Sequence, residues 1–128
     1  MPIEMKMLVW TAALAVAQTL IAVTGAMLQV GLPPLVGNRE TPPECTGWVG
    51  RAQRAHRNLL ESFAVFAALV LVAQIAGKTN ATTALGAQMF FWARLIYVPV
   101  YVAGIPWLRT GVWTVGALGA IMILLQLL

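Results

Sequence analysis

The sequence predicts an all-α protein, an integral membrane bundle of four transmembrane helices. Of the 128 residues, 60% are hydrophobic and only 9% are charged, whereas an ordinary soluble domain has about 25% charged residues. Four apolar runs are separated by polar or proline-containing stretches. Crossing a hydrocarbon core takes roughly 20 residues, so four crossings use almost the whole chain. We therefore expect one domain over residues 1–128.

The first predicted helix covers about residues 7–31 and ends before two prolines. Pro33 and Pro34 have no backbone N–H and cannot continue a helix. The apolar core of a signal peptide is about 7 to 15 residues long, shorter than this run, so we expect the run to remain as a membrane span. Residues 35–50 are polar and turn-rich, which predicts a loop outside the hydrocarbon.

The second and third predicted helices cover about residues 51–77 and 83–103. The second begins with a charged segment and is apolar from Phe63 onward. Thr and Asn residues in the short connection can cap the third helix. Pro99 lies inside the third helix, where a membrane protein tolerates proline as a kink. A turn that includes Pro106 and Arg109 then leads to the fourth predicted helix, about residues 110–128.

The charges predict an orientation in the membrane. Four crossings place both termini on one side, together with Lys6 and Lys78. The opposite side holds most of the arginines: Arg39, Arg51, Arg54, Arg57 and Arg109. The positive-inside rule makes that side cytoplasmic, so we expect termini away from the cytoplasm in an inner or cell membrane. Arginines that bind a ligand would be weaker evidence for the orientation of the protein in the membrane. The basic residues form no continuous stripe, so no nucleic-acid partner is expected.

Polar side chains form a stripe on the second helix. Arg51, Arg54, Asn58 and Glu61 are spaced by 3, 4 and 3 residues, which places them on one helical face. Arg57 precedes Glu61 by 4 residues, a spacing that permits an ion pair. Ionisable groups within a membrane span usually face a bundle interior or a wet cavity, so they indicate function. Two alternatives remain open: the arginines bind lipid phosphates, or Glu61 forms a structural ion pair with Arg54 or Arg57.

A second polar stripe lies on the third helix. Arg94, Tyr97 and Tyr101 are spaced by 3 and 4 residues and share a face, and Arg109 follows in the turn. Arg94 lies about 20 Å from Arg109 by helical rise, deep enough for a buried pair with Glu61. The tyrosines alone are also typical of an aromatic belt at the head-group level.

No metal site or disulfide is predicted. Cys45 is the single cysteine, so no disulfide forms within the chain. His56 points away from the arginine stripe and is expected to bond a carbonyl or to face the interface. The chain has no second histidine, no aspartate and no CxxC motif, which leaves too few ligands for a metal.

The two stripes resemble a known family. The run Arg54-Ala-His-Arg-Asn58 with Glu61, followed by Ala93-Arg-Leu-Ile-Tyr97, Tyr101 and Arg109, resembles the MAPEG family, the membrane-associated proteins in eicosanoid and glutathione metabolism. The resemblance covers about half of the chain, and the four-helix plan agrees throughout. It suggests a bacterial-type member.

The resemblance implies a homotrimer that binds glutathione between subunits near the cytoplasmic face. The peptide part of glutathione would be bound by residues of the second helix, namely Arg54, Asn58 and Glu61, with help from Arg57. Tyr97 and Tyr101 would line the same site, and Arg94 would be a structural charge or one adjacent to the ligand.

The resemblance also implies the chemistry. Arg109 stands where the family has the arginine that stabilises the thiolate, which would make it the catalytic residue. A lipophilic small molecule would enter from the membrane lipids. Family enzymes that act on eicosanoids have a further arginine near the end of the first helix, where this chain has Gln29. Eicosanoid specificity is therefore not expected.

The sequence leaves three functions to consider. The first is a glutathione transferase or peroxidase acting on lipophilic electrophiles or lipid hydroperoxides. The second is a non-catalytic membrane protein that binds a lipid head group or another anionic ligand in the same cleft. The third is a small four-helix multidrug exporter. Such exporters hold a carboxylate deep in the first helix, where this chain has none, so the third is disfavoured.

Overall fold

The computed structural model describes residues 1–37 and 45–128, and these residues form five α-helices. In chain order they are α1 (Ile3–Val30), α2 (Pro33–Val36), α3 (Gly47–Ile75), α4 (Ala81–Ala103) and α5 (Pro106–Leu127). Within the described residues, four helices are long and apolar enough to cross a membrane, namely α1, α3, α4 and α5. The predicted all-α fold with four membrane spans is confirmed. Arg39, which was assigned to the basic side, lies outside the described residues.

Several helix ends differ from the predicted ones. α1 begins at Ile3 and includes Glu4, whose carboxylate accepts a hydrogen bond from the Thr83 hydroxyl. α3 begins at Gly47, four residues before the predicted start. α5 begins at Pro106, because the first turn of a helix does not need the N–H that proline lacks. Arg109 therefore lies in the first part of α5 and not in a turn.

A capping box begins α4. The backbone N–H of Thr83 donates to Oδ1 of Asn80 at 2.9 Å, and the Asn80 N–H donates to the Thr83 hydroxyl at 2.8 Å. This satisfies two donors at the start of the helix, and the predicted cap is confirmed. Pro99 lies within an uninterrupted α4. The kink at Pro99 stays a prediction.

The core contains residues from all four membrane-spanning helices. The rings of Phe66 and Phe90 stack with centroids 4.1 Å apart, and Met7 and Ile123 are buried in the same cluster. α4 and α5 approach each other closely at two glycines. A Cβ added to Gly86 would lie 2.5 Å from the carbonyl oxygen of Gly119, and the reverse distance is also 2.5 Å. The two backbones are therefore in contact at this point.

The start of α3, the end of α4 and the start of α5 meet at one end of the bundle. Arg51 Nε donates to the carbonyl oxygen of Val102 at 2.7 Å. In a continuing helix that carbonyl would accept from the N–H of residue 106, which is a proline. Arg51 supplies the missing donor and joins α3 to the connection between α4 and α5.

Candidate functional site

A polar cavity of about 150 Å³ opens between α3, α4 and α5. Its lining includes three residues predicted from the sequence, Asn58, Tyr97 and Arg109, together with Thr110 and Trp113. Asn58 comes from α3, Tyr97 from α4 and the others from α5. The cavity exists because the two polar stripes face each other where α5 begins.

Tyr101 connects two arginines beside this cavity. Arg54 Nε donates to the Tyr101 hydroxyl at 3.2 Å. The Arg109 guanidinium lies 4.9 Å from the centroid of the same ring, within the range of a cation–π interaction. The rings of Tyr97 and Tyr101 are 5.5 Å apart. Tyr101 thus holds two positive charges near the cavity without neutralising either.

Asn58 and Arg94 both have buried polar atoms. Among the described residues, Oδ1 of Asn58 and both Nε and Nη2 of Arg94 make no hydrogen bond. Arg94 is 2% exposed, and its guanidinium lies 4.4 Å from the centroid of the Tyr97 ring. Buried polar groups are normally hydrogen-bonded, and those left unpaired call for an explanation such as a ligand. Tyr97 is itself buried, which contradicts the aromatic-belt alternative for this residue.

Residues 1–37 and 45–128 form none of the ion pairs considered for Glu61. Within the described residues no basic nitrogen lies within 4.0 Å of its carboxylate. Glu61 is exposed, whereas Ser62 lines the same crevice as Arg94. One residue along a helix turns the side chain by about 100°. The predicted pair of Glu61 with Arg94 is therefore wrong for a single chain, as are pairs of Glu61 with Arg54 or Arg57.

His56 and Gln29 have structural partners away from the cavity. Nε2 of His56 lies 2.8 Å from the hydroxyl of Thr19 and joins α3 to α1, so of the two expectations for His56, a carbonyl partner is wrong and a position at the interface stays a prediction. Gln29 Nε2 donates to the Thr46 carbonyl at 3.1 Å, and the Thr46 N–H donates to Gln29 Oε1 at 2.7 Å. Gln29 thus ties the end of α1 to the residue before α3.

The sequence patterns do not predict that Thr110 and Trp113 line the cavity. A signal for Trp113 was present, because it follows Arg109 by four residues and shares its helical face once both lie in α5. The predicted helix started at residue 110 and left Arg109 outside it. A proline at the first position of a helix is common, so Pro106 predicts a helix that includes both Arg109 and Trp113.

These features define a membrane protein of four spanning helices with a cavity lined by arginine, tyrosine and asparagine. A family model described as the MAPEG family matches residues 7–128 of the chain. The chain belongs to the MAPEG family, which includes glutathione transferases and related membrane proteins. Comparison with curated proteins and with solved structures gave no match.

Proposed function

We propose that this protein is a glutathione-dependent transferase or peroxidase that acts on lipophilic electrophiles or lipid hydroperoxides. The observation that supports it most is the polar cavity, which Arg109 and Tyr97 line together with an Asn58 side chain whose Oδ1 has no hydrogen-bond partner among the described residues. In a membrane span such a group is costly unless a ligand or water satisfies it. Members of this family are commonly glutathione-dependent.

The charges of glutathione match charged side chains of α3. The tripeptide has two carboxylates and one ammonium group, and guanidinium groups bind carboxylates through paired hydrogen bonds. Arg54 and Arg57 are both exposed near the start of α3 and bind the carboxylates. Asn58 Oδ1 accepts from a peptide N–H, and Glu61, which forms no ion pair with a described residue, binds the ammonium group. Tyr101 positions Arg54 through its hydroxyl.

Arg109 activates the thiol in this proposal. A free thiol has a pKa near about 8.5, and a nearby cation lowers it. The thiolate sulfur then attacks an electrophilic carbon, a C–S bond forms, and the leaving group departs with the electrons of its bond. With a hydroperoxide, two glutathione molecules supply two electrons and yield an alcohol, water and glutathione disulfide.

A homotrimer is part of the proposal, because one chain leaves the site incomplete. The cavity of about 150 Å³ is smaller than the roughly 300 Å³ at which ligand pockets begin. Glu61 is exposed near the middle of α3, where contact of a charge with lipid costs about 3 kcal/mol. A second copy that covers this face would shield Glu61 and enlarge the cavity. A native mass of a single chain in mild detergent would contradict the trimer.

The proposed activity is tested with purified protein, glutathione and a chromogenic aryl halide. We expect saturable turnover and calorimetric binding of glutathione. Asn58→Ala should weaken that binding, whereas Gln88→Ala, which removes an amide from a groove between α4 and α5, should not. Intact oligomers without binding or turnover would instead favour a non-catalytic protein that binds a lipid head group or another anion.

A further inference from the structure

Arg51 begins the polar stripe of α3, but its guanidinium bonds the backbone near the connection between α4 and α5. Its Nε donates to the carbonyl oxygen of Val102 at 2.7 Å, and a Cβ added to Gly104 would lie 3.8 Å from the same nitrogen. The side chain is half-buried. Because Arg51 is not part of the lining of the polar cavity, its contact with the backbone is the feature to explain.

The Val102 carbonyl is one that the end of α4 leaves open. Two backbone bonds close the helix, and they use the carbonyls of Val100 and Tyr101 at 3.2 and 3.0 Å. Gly104 has a φ of 78°, the left-handed conformation that is typical of such helix ends. The last carbonyls of a helix lack intrahelical partners, and a charged donor bonds them more strongly than a neutral one. Arg51 thus completes the end of α4 from a neighbouring helix.

A short path joins Val102 to Arg109. Two residues separate α4 from α5, and the Arg109 N–H donates to the carbonyl oxygen of Ile105 at 3.0 Å. Arg109 therefore lies in the first turn of α5. Its guanidinium is 4.9 Å from the ring centroid of Tyr101, the residue that precedes Val102. The bond from Arg51 accordingly holds both the backbone before α5 and the ring that faces Arg109.

We propose that Arg51 is a positioning residue, which holds the first turn of α5 through the Val102 carbonyl so that Arg109 stays beside the thiol of glutathione. This inference rests on the proposed function and adds a residue to its thiol-activating part. Arg51 itself contacts no ligand in this arrangement. The attraction between a cation and a thiolate falls with distance, and a misplacement of about 1 Å can cost about 100-fold in rate. A hydrogen bond remote from the sulfur therefore affects the chemistry.

Arg51→Met removes the donor and keeps most of the apolar stem. With glutathione and a chromogenic aryl halide, kcat/KM at neutral pH should fall about tenfold and recover as the pH rises. Because Arg109 shifts, the pKa of the bound thiol should rise toward the free value near about 8.5. Arg51→Lys keeps a charged donor and should restore most of the activity. An unchanged pH profile in Arg51→Met would overturn the proposal.

Thr19→Val is the matched control for a loss of stability alone. The Thr19 hydroxyl lies 2.8 Å from Nε2 of His56 and also joins α3 to a neighbouring helix. Thermal unfolding in detergent should show a lower Tm for both Thr19→Val and Arg51→Met, but only Arg51→Met should raise the pKa of the bound thiol. Equal pKa values in the two variants would reduce Arg51 to a structural role. Arg51→Gln, a shorter neutral donor, replaces Arg51→Met if that variant does not fold, and should shift the pKa in the same direction.

S-methylglutathione tests whether Arg51 contacts the ligand. This analogue has the charged groups of glutathione but no thiol proton, so its affinity reports the peptide part alone. Its calorimetric Kd should stay within about twofold of the wild-type value in Arg51→Met. A Kd about tenfold weaker would assign Arg51 to the peptide part of glutathione and overturn the proposal.

Hydrogen exchange without any ligand separates this proposal from the proposed function. The readout is the exchange rate of the Arg109 amide, which donates to Ile105. This rate should rise about tenfold in Arg51→Met and stay at the wild-type value in Thr19→Val. Faster exchange would support the hold of Arg51 on α5 even if no glutathione activity exists. Glutathione activity with unchanged exchange would support the transferase and contradict the positioning role.

Discussion

Arg54 on α3 donates a 3.2 Å hydrogen bond from Nε to the hydroxyl of Tyr101 on α4. The same tyrosine ring faces the guanidinium of Arg109 on α5 at 4.9 Å. One side chain therefore links three membrane-spanning helices at the cavity. Its hydroxyl orients one arginine and its π-face attracts the other, so the two contacts can be separated by substitution.

Tyr101→Phe should free Arg54 while it keeps the ring beside Arg109. A typical hydrogen bond contributes about 1 kcal/mol to stability. Because Arg54 is exposed to solvent, Tyr101→Phe should lower the free energy of unfolding by no more than that. We expect a several-fold increase in the glutathione Kd by calorimetry. Tyr101→Leu removes both contacts and should weaken binding further. An unchanged Kd in Tyr101→Phe would show that Arg54 does not need this bond to bind the ligand.

Arg109→Ala should raise the apparent pKa of the glutathione thiol bound to the protein. The lost cation no longer favours the thiolate, so the pKa moves up toward the free value near about 8.5. Turnover at neutral pH should fall and recover as the pH rises. The ultraviolet absorbance of the bound thiolate, titrated against pH, measures the shift. Arg109→Lys keeps a positive charge and is the control. An unchanged pH profile in Arg109→Ala would move the role to another residue.

Gly119→Ala should destabilise the contact between α4 and α5. The added Cβ would meet the Gly86 carbonyl oxygen at 2.5 Å, and the two backbones must separate, at a cost of about 1–3 kcal/mol. Gly111→Ala on the same helix meets no atom within 4 Å and should be neutral or stabilising. Thermal unfolding in detergent compares the two variants. Similar Tm values for Gly119→Ala and Gly111→Ala would show that α4 and α5 accommodate the added Cβ without loss of stability.

Thr83→Val should weaken the end of the bundle opposite to the cavity. The Thr83 hydroxyl donates to Oε1 of Glu4 at 2.8 Å and accepts from the Asn80 N–H at 2.8 Å. Glu4 and Thr83 are both buried, so valine leaves the carboxylate without this donor, at a cost of about 1–3 kcal/mol. Thr82→Val is the matched control, because its hydroxyl makes none of these bonds. Equal unfolding temperatures for the two variants would contradict this assignment.

Local patterns of the sequence predict the four spans and the two polar helix faces. Hydropathy is a property of consecutive residues, so each apolar run predicts its own helix. The helical spacing of Arg94, Tyr97 and Tyr101 likewise predicts a shared face before any packing is known. The match of residues 7–128 to the family model confirms the family that Arg54, Asn58 and the later motif had indicated.

Only the tertiary structure decided which polar groups meet. The rotation of α3 brings Ser62 and not Glu61 to the crevice of Arg94, because a single residue step changes direction by about 100°. α5 begins at Pro106, and this start places Arg109 and Trp113 on the same helix, where both line the cavity. Such rotations depend on contacts between distant segments, including the close approach of two glycine backbones. Four spans and two polar faces are thus local properties, whereas the cavity between them is a property of packing.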